Sequence, residues 1–236
     1  MKNNFKVIAF DADDTLWDNE IFFRQTEEQY CELLRAFSTP EATMKMLFSV
    51  EINNLEEYGY GTKAFVLSMI ETAIKISDGN VSQSILKQII ELGKKQINQD
   101  VHLLDGVVDL LAYLSQKHYK LIVATKGDLL DQERKLKKSG LERYFHHVEV
   151  MSNKRVADYR KLIQHLDIQP EDFLMIGNSY KSDIEPVLEL GGYGIHVPYH
   201  ILWEHEKAEE NDEHPNWIKI QNLNEVKDFL RNQTIL

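Results

Sequence analysis

Cysteine is almost missing from this 236-residue chain: Cys31 stands alone, so no intramolecular disulfide can form. Long apolar runs are missing too. None approaches the ~20 residues of a membrane-spanning helix, and Met1-Lys2-Asn3-Asn4 is not followed by a signal-peptide core. A soluble, cytoplasmic protein is expected. Positive charge is in deficit: 27 Lys and Arg face 38 Asp and Glu, a net charge of -11. That argues against a nucleic acid or an anionic membrane as partner, because both need basic patches. Small phosphorylated molecules stay open, since they need only a local positive site. There is no internal repeat and no low-complexity tract. The apolar fraction of 43% is ordinary for a chain that buries a core. The length suits one large domain, or one domain with an insertion.

One short stretch organises the rest. Phe5 to Phe10 is largely apolar, and Asp11, Asp13 and Asp14 follow at once. Val7, Ile8 and Phe10 have the character of a buried strand. In open α/β sheets, ligands bind at the carboxyl ends of strands. Clustered acids repel one another unless a cation sits among them, so this strand end suggests a cation site.

From Asn19 to about Gln99 apolar residues recur at helical spacing, as in Tyr30, Leu33, Leu34 and Phe37, or Phe65, Met69 and Ile70. Breakers fall at Ser38-Thr39-Pro40, Gly59-Tyr60-Gly61 and Ser77-Asp78-Gly79-Asn80. Four helices are expected there, with Cys31 packed among them. Then the pattern alternates. Strands are expected at Tyr119–Ala124, His147–Met151, Phe173–Ile176, Tyr193–Val197 and Trp217–Ile220. Helices are expected to open at Asp105-Gly106 and to run over Leu129–Ser139, Val156–Leu166, about Lys181–Leu190 and Leu223–Leu230. Such alternation implies a Rossmann-like parallel sheet covered on both faces. The expected division is an α/β core of residues 1–17 and 100–236, with a helical insertion over 18–99.

A parallel sheet gathers its strand ends on one rim. Asp11 and Asp13 follow the first strand, Thr125 ends the second, Lys154 follows the third, and Asn178 and Asp183 follow the fourth. Carboxylates, a hydroxyl, a lysine and oxygen ligands together describe Mg²⁺-assisted phosphoryl transfer.

In these residues the chain resembles the haloacid dehalogenase-like hydrolase superfamily. Asp11-Ala12-Asp13-Asp14-Thr15 is similar to its first motif and Leu121-Ile122-Val123-Ala124-Thr125 to its second. Lys154 matches the third; Lys161 lies too close to the fourth, Gly177-Asn178-Ser179-Tyr180-Lys181-Ser182-Asp183. The resemblance implies that Asp11 attacks phosphorus and that Asp13 serves as general acid and base. It implies that Thr125 and the Lys126 N–H hold the phosphoryl oxygens and that Lys154 neutralises charge. Mg²⁺ would be held by Asp11, the Asp13 carbonyl, Asn178 and Asp183. Asn178 stands where the family mostly has Asp, which predicts weaker Mg²⁺ binding.

Asp13 also divides the reactions. Dehalogenases and phosphonate hydrolases of the superfamily lack an acid there, and P-type ATPases carry Lys after the nucleophile. The expected activity is hydrolysis of a small phosphorylated metabolite; a phosphohexose mutase and a catalytically weak binding or regulatory protein are the alternatives. A receiver domain fits less well, because its phosphorylated Asp comes from a later strand. The insertion lies where a C1 cap would. Trp17, Asn19 and Arg24 near its entry are specificity candidates, although Arg24 suits a surface salt bridge better. Tyr199, His200 and Trp203 are candidates to line the entrance. In that same loop His196, His200, Glu204 and His205 do not make a persuasive zinc site, because Pro198 breaks the register. A monomer or a homodimer is compatible with the sequence.

Overall fold

A computed structural model describes residues 5–211 and 213–233. In chain order it holds β1 (Val7–Phe10), α1 (Glu20–Leu33), α2 (Pro40–Tyr58), α3 (Thr62–Ile76) and α4 (Gln83–Ile97). Then come α5 (Val107–Leu114), β2 (Lys120–Lys126), α6 (Leu129–Ser139), β3 (His147–Met151), α7 (Val156–His165) and β4 (Phe173–Gly177). The rest is α8 (Glu185–Glu189), β5 (Tyr193–His196), β6 (Trp217–Lys219) and α9 (Leu223–Gln233). The described residues of 1–18, 101–126 and 133–236 form one compact unit, and those of 19–100 and 127–132 form the other.

The first unit is an α/β fold around a six-stranded parallel sheet, in the order β3-β2-β1-β4-β5-β6. β1 is central, and all four of its residues are buried. A central parallel strand is covered on both faces, so it needs a continuous apolar run rather than alternation. Ile8 and Phe10 pack with Val107, Leu110 and Leu111 of α5 and Val226 of α9. Val7 and Ala9 pack with Tyr159, Leu162 and Ile163 of α7 and Val187 of α8. Each fully buried aliphatic side chain of this kind contributes ~1.5–3 kcal/mol. Ile8 lies opposite Leu121 of β2 and Leu174 of β4, so the ends of all three strands meet one rim.

The expected helix at Lys181–Leu190 differs in the structure. Tyr180–Ile184 forms a π-helical turn, and only Glu185–Glu189 is α-helical. Pro186 is the reason for the break: it lacks an N–H and suits only a first helical turn.

In the helical unit, α1 to α4 pack Tyr30, Leu34, Leu47, Phe65, Met69 and Ile89 into one core. Thr39 and Ser82 cap α2 and α4, accepting hydrogen bonds from the Ala42 and Ile85 amides. The Tyr30 hydroxyl donates to the Met69 carbonyl at 2.8 Å. Residues 127–132, expected with the α/β core, group with the helices, and Lys63 pairs with Asp128 at 2.9 Å. Among the described residues no helix is long and apolar enough to cross a membrane.

Candidate active site

Asp11 follows β1 directly. Its amide still extends the ladder, donating to the Ile176 carbonyl at 2.9 Å, which fixes the carboxylate at the rim. The chain then turns tightly. Asp14 takes a left-handed φ of 62°, a region Asp tolerates better than most residues. The Thr15 and Leu16 amides bond back to the Ala12 carbonyl at 3.3 and 2.8 Å. The turn carries the Thr15 hydroxyl to 3.1 Å from Asp11 Oδ2 and 3.3 Å from Asn178 Oδ1. One hydroxyl proton serves two acceptors there.

Lys154, 3% exposed, lies between two carboxylates. Its ammonium donates to Asp11 Oδ1, and to Asp183 Oδ1 at 2.6 Å. Charges this buried are tolerated only when paired and hydrogen-bonded. Burial pushes the Asp11 carboxyl up to about 7, against the pull of Lys154. Burial also opposes the Lys154 ammonium, but the charges of Asp11 and Asp183 outweigh it and raise that group well above the ordinary lysine range. Asp183 is held from its other oxygen by the Ser179 amide at 3.0 Å. Gly177 makes room for it: a Cβ at 177 would stand 2.3 Å from Asp183 Oδ2.

Asp13 belongs to a neighbouring group. The Trp17 indole donates to Asp13 Oδ1 at 2.7 Å, and the Lys135 ammonium reaches both oxygens at 2.9 and 3.1 Å. Trp17 is 1% exposed, so this anchor is rigid.

Thr125 is the penultimate residue of β2 beside β1, 1% exposed, with its hydroxyl donating to the Lys126 carbonyl at 3.2 Å. The Lys126 ammonium donates to Glu206 Oε1 at 2.6 Å and to Ser182 Oγ at 2.9 Å. The other Glu206 oxygen accepts from the Ser179 hydroxyl at 2.6 Å and from the Ser182 hydroxyl. Burial works to raise this carboxyl, but Lys126 and the two hydroxyls overcome it and hold Glu206 at about 2. His196 is buried, and its Nε2–H donates to the Asn178 carbonyl at 3.0 Å.

The structure thus joins Asp11, Lys154, Asn178 and Asp183 in one bonded cluster through Thr15. Asp13 has its own two supports, and Thr125 and Lys126 occupy the adjacent strand end. The donors facing Thr15, Asp11 Oδ2 and Asn178 Oδ1, are oxygens only, a set that suits a hard divalent cation. A buried carboxylate beside a lysine is a workable nucleophile, and a second, anchored carboxyl can move a proton.

Among the expected specificity residues, Arg24 pairs with Glu20 and Glu27 at 3.3 and 3.1 Å. Asn19 precedes α1, and buried Cys31 sits 3.8 Å from the Pro40 carbonyl. The Tyr199 hydroxyl donates to Asp18 at 2.6 Å while its ring packs on His200, and Trp203 packs on His205. Sequence reasoning missed the bridging of Thr15, the Lys135 support and Glu206. Thr15 carried a signal as the last residue of the first motif. Lys135 and Glu206 carried none, being charged residues in a polar helix and a charged loop.

The chain matches a family model described as haloacid dehalogenase-like hydrolase over residues 5–191. It is 33% identical to a haloacid dehalogenase-like family hydrolase from Xanthomonas campestris, with a TM-score of 0.87 over 98% of this chain and 92% of that one. A HAD phosphatase from Thermococcus onnurineus is 18% identical, with a TM-score of 0.62 over 96% and 98%. A 2-haloacid dehalogenase from Pseudomonas syringae pv. Tomato is 17% identical, with a TM-score of 0.65 over 97% and 99%. At that identity the last two show the fold alone. No curated protein matches.

Proposed function

The chain belongs to the haloacid dehalogenase-like hydrolases, and from that premise we propose that it is a Mg²⁺-dependent phosphatase of small phosphorylated metabolites in the cytoplasm. The observation that carries this reading is Asp13. An acid two residues after Asp11, held by Trp17 and Lys135, has no use in displacing halide but is needed to protonate an alkoxide leaving group.

Asp11 attacks phosphorus, and the phosphorus–oxygen ester bond breaks. Asp13 gives its proton to the departing oxygen, leaving a phosphoryl group on the Asp11 carboxylate. Asp13 then takes a proton from water, and the water oxygen attacks the same phosphorus. The Asp11–phosphorus bond breaks, phosphate leaves, and both carboxyls return to their starting states. Lys154 offsets negative charge on the nucleophile, and Thr125 with the Lys126 amide orients the phosphoryl oxygens. Asp11, the Asp13 carbonyl, Asn178 and Asp183 would hold Mg²⁺, which when bound supplies further charge neutralisation on the phosphoryl group. The helical unit, inserted between the first and second motifs, is proposed as a cap that selects the leaving group.

The test is release of phosphate from a panel of phosphomonoesters, with halide release from 2-haloacids run beside it. Mg²⁺-dependent phosphate release that EDTA and Asp11→Asn both abolish supports the reading. Halide release without phosphate release refutes it. Conversion of one hexose phosphate to its isomer without free phosphate would establish the mutase instead.

A further inference from the structure

We propose that His147, Glu149 and His165 form a zinc-binding site, separate from the oxygen cluster around Asp11. His147 and Glu149 are two apart on β3, so they share one face of the sheet. Register places His147 opposite Ile122 and Glu149 opposite Ala124, on the face that α7 covers. His165 is the last residue of α7. The three side chains therefore converge from a strand and from the helix that packs on it. Their ligand atoms all lie within 4.8 Å of one another. His147 Nε2 and Glu149 Oε2 are 2.8 Å apart, and the two imidazole rings meet edge to face at 5.7 Å between centroids. Ligand atoms around one tetrahedral zinc stand about 3.4 Å apart, so side-chain rotation closes the widest gap on binding.

The chemistry of the set selects the metal. Two imidazoles and a carboxylate suit zinc and its borderline neighbours, whereas Mg²⁺ and Ca²⁺ prefer oxygen alone. Two further facts favour a cation here. The C-terminal end of α7 carries the negative pole of its helix dipole. His147 and Glu149 are half-buried, with side-chain exposures of 38% and 32%, so water competes less for them than at a bare surface. His147 Nε2 now shares its proton with Glu149; on binding, that proton moves to Nδ1 or leaves, and the nitrogen lone pair takes the metal.

Topology separates this site from Asp11. β3 is the edge strand, and His147 is its first residue, while Asp11 follows the last residue of β1. Register sets His147 level with Ala9 through Ile122, so the separation is lateral, with β2 lying between β3 and β1. Zinc there would clasp the edge strand to α7 and leave coordination positions for water or a further ligand.

The experiment uses the full chain, stripped with chelator and then held in excess Mg²⁺ so that any oxygen-only site is filled. Zn²⁺ is titrated calorimetrically, and Cu²⁺ is used as a spectroscopic probe. The expected result is one equivalent of Zn²⁺ bound, weakened roughly tenfold or more in His165→Gln and in His147→Gln. The electron paramagnetic resonance spectrum of bound Cu²⁺ should show coupling to two imidazole nitrogens in the wild type and to one in each variant. The wild-type spectrum needs no variant to fold, so it decides the matter even if a substitution fails. Absence of saturable Zn²⁺ binding, unchanged binding in both variants, or a Cu²⁺ spectrum without imidazole nitrogen would each overturn the proposal.

Discussion

Replacing Glu206 by Gln tests whether the loop beyond β5 is fastened by charge. Glu206 accepts from Lys126, Ser179 and Ser182, and the fold holds its carboxyl at about 2 against an ordinary 4.5. A carboxyl depressed in the fold stabilises it above its unfolded value and loses that contribution as pH falls through the folded value. For 4.5 against about 2, the linkage amounts to about 3 kcal/mol at pH 7 and about 1.4 kcal/mol at pH 3. Gln keeps the size and an oxygen acceptor but loses the charge, and it takes the Glu206 charge away from the Lys126 ammonium, only 15% exposed. Urea unfolding of wild type and Glu206→Gln should therefore give a gap of about 3 kcal/mol at pH 7 that shrinks to roughly half at pH 3. In a cycle with Lys126→Met, most of that gap should disappear from the Met background. A gap that is equal at both pH values, or one below about 0.5 kcal/mol at pH 7, would show that the contacts are incidental, as at an exposed ion pair.

Three further outcomes follow from the site. Asn178→Asp adds a charged ligand to the oxygen set, so half-maximal activity should need less Mg²⁺; an unchanged Mg²⁺ titration would refute the assignment of Asn178. Trp17→Phe removes the 2.7 Å anchor of Asp13 and should lower kcat by roughly tenfold, with KM little changed. Asp11, raised to about 7 by burial, binds its proton more tightly in the fold than in the unfolded chain. Its contribution is complete below the ordinary value of 3.8 and is lost as pH rises through about 7. Metal-free protein should thus lose stability between pH 5 and pH 7, and Asp11→Asn, followed by chemical denaturation, should flatten that slope.

The strand-and-helix order was legible because its signals are local. Four apolar residues before Asp11 imply a buried strand, and Pro40, Gly59 and Gly140 mark the ends of elements. Strand ends followed by Asp11, Thr125, Lys154 and Asn178 made one rim readable as a site, since parallel pairing brings such ends together. What escaped was long-range or structural in cause. Lys135 meets Asp13, and Glu206 meets Lys126, across sequence gaps that no periodicity bridges. The π turn at Tyr180–Ile184 stayed hidden because Lys181 to Leu190 has the residues of an ordinary helix, with Pro186 the one hint. His147 and Glu149 read as part of a strand; only the packing of α7 places His165 beside them.

The central place of β1 has a consequence for synthesis. It precedes the other strands of the sheet in the chain, yet its partners are residues 120–123 and 173–176. Until those residues are made, this run of Val7, Ile8, Ala9 and Phe10 lacks its sheet partners, and the loops that must close are long. Residues 19–100 need no such wait, because their helices pack on neighbours close in sequence. The nascent chain should therefore carry a folded helical unit while its most apolar strand is still exposed. Chaperone binding to that short N-terminal segment, ending when residue 176 has emerged, is what such an order of events would look like in the cell.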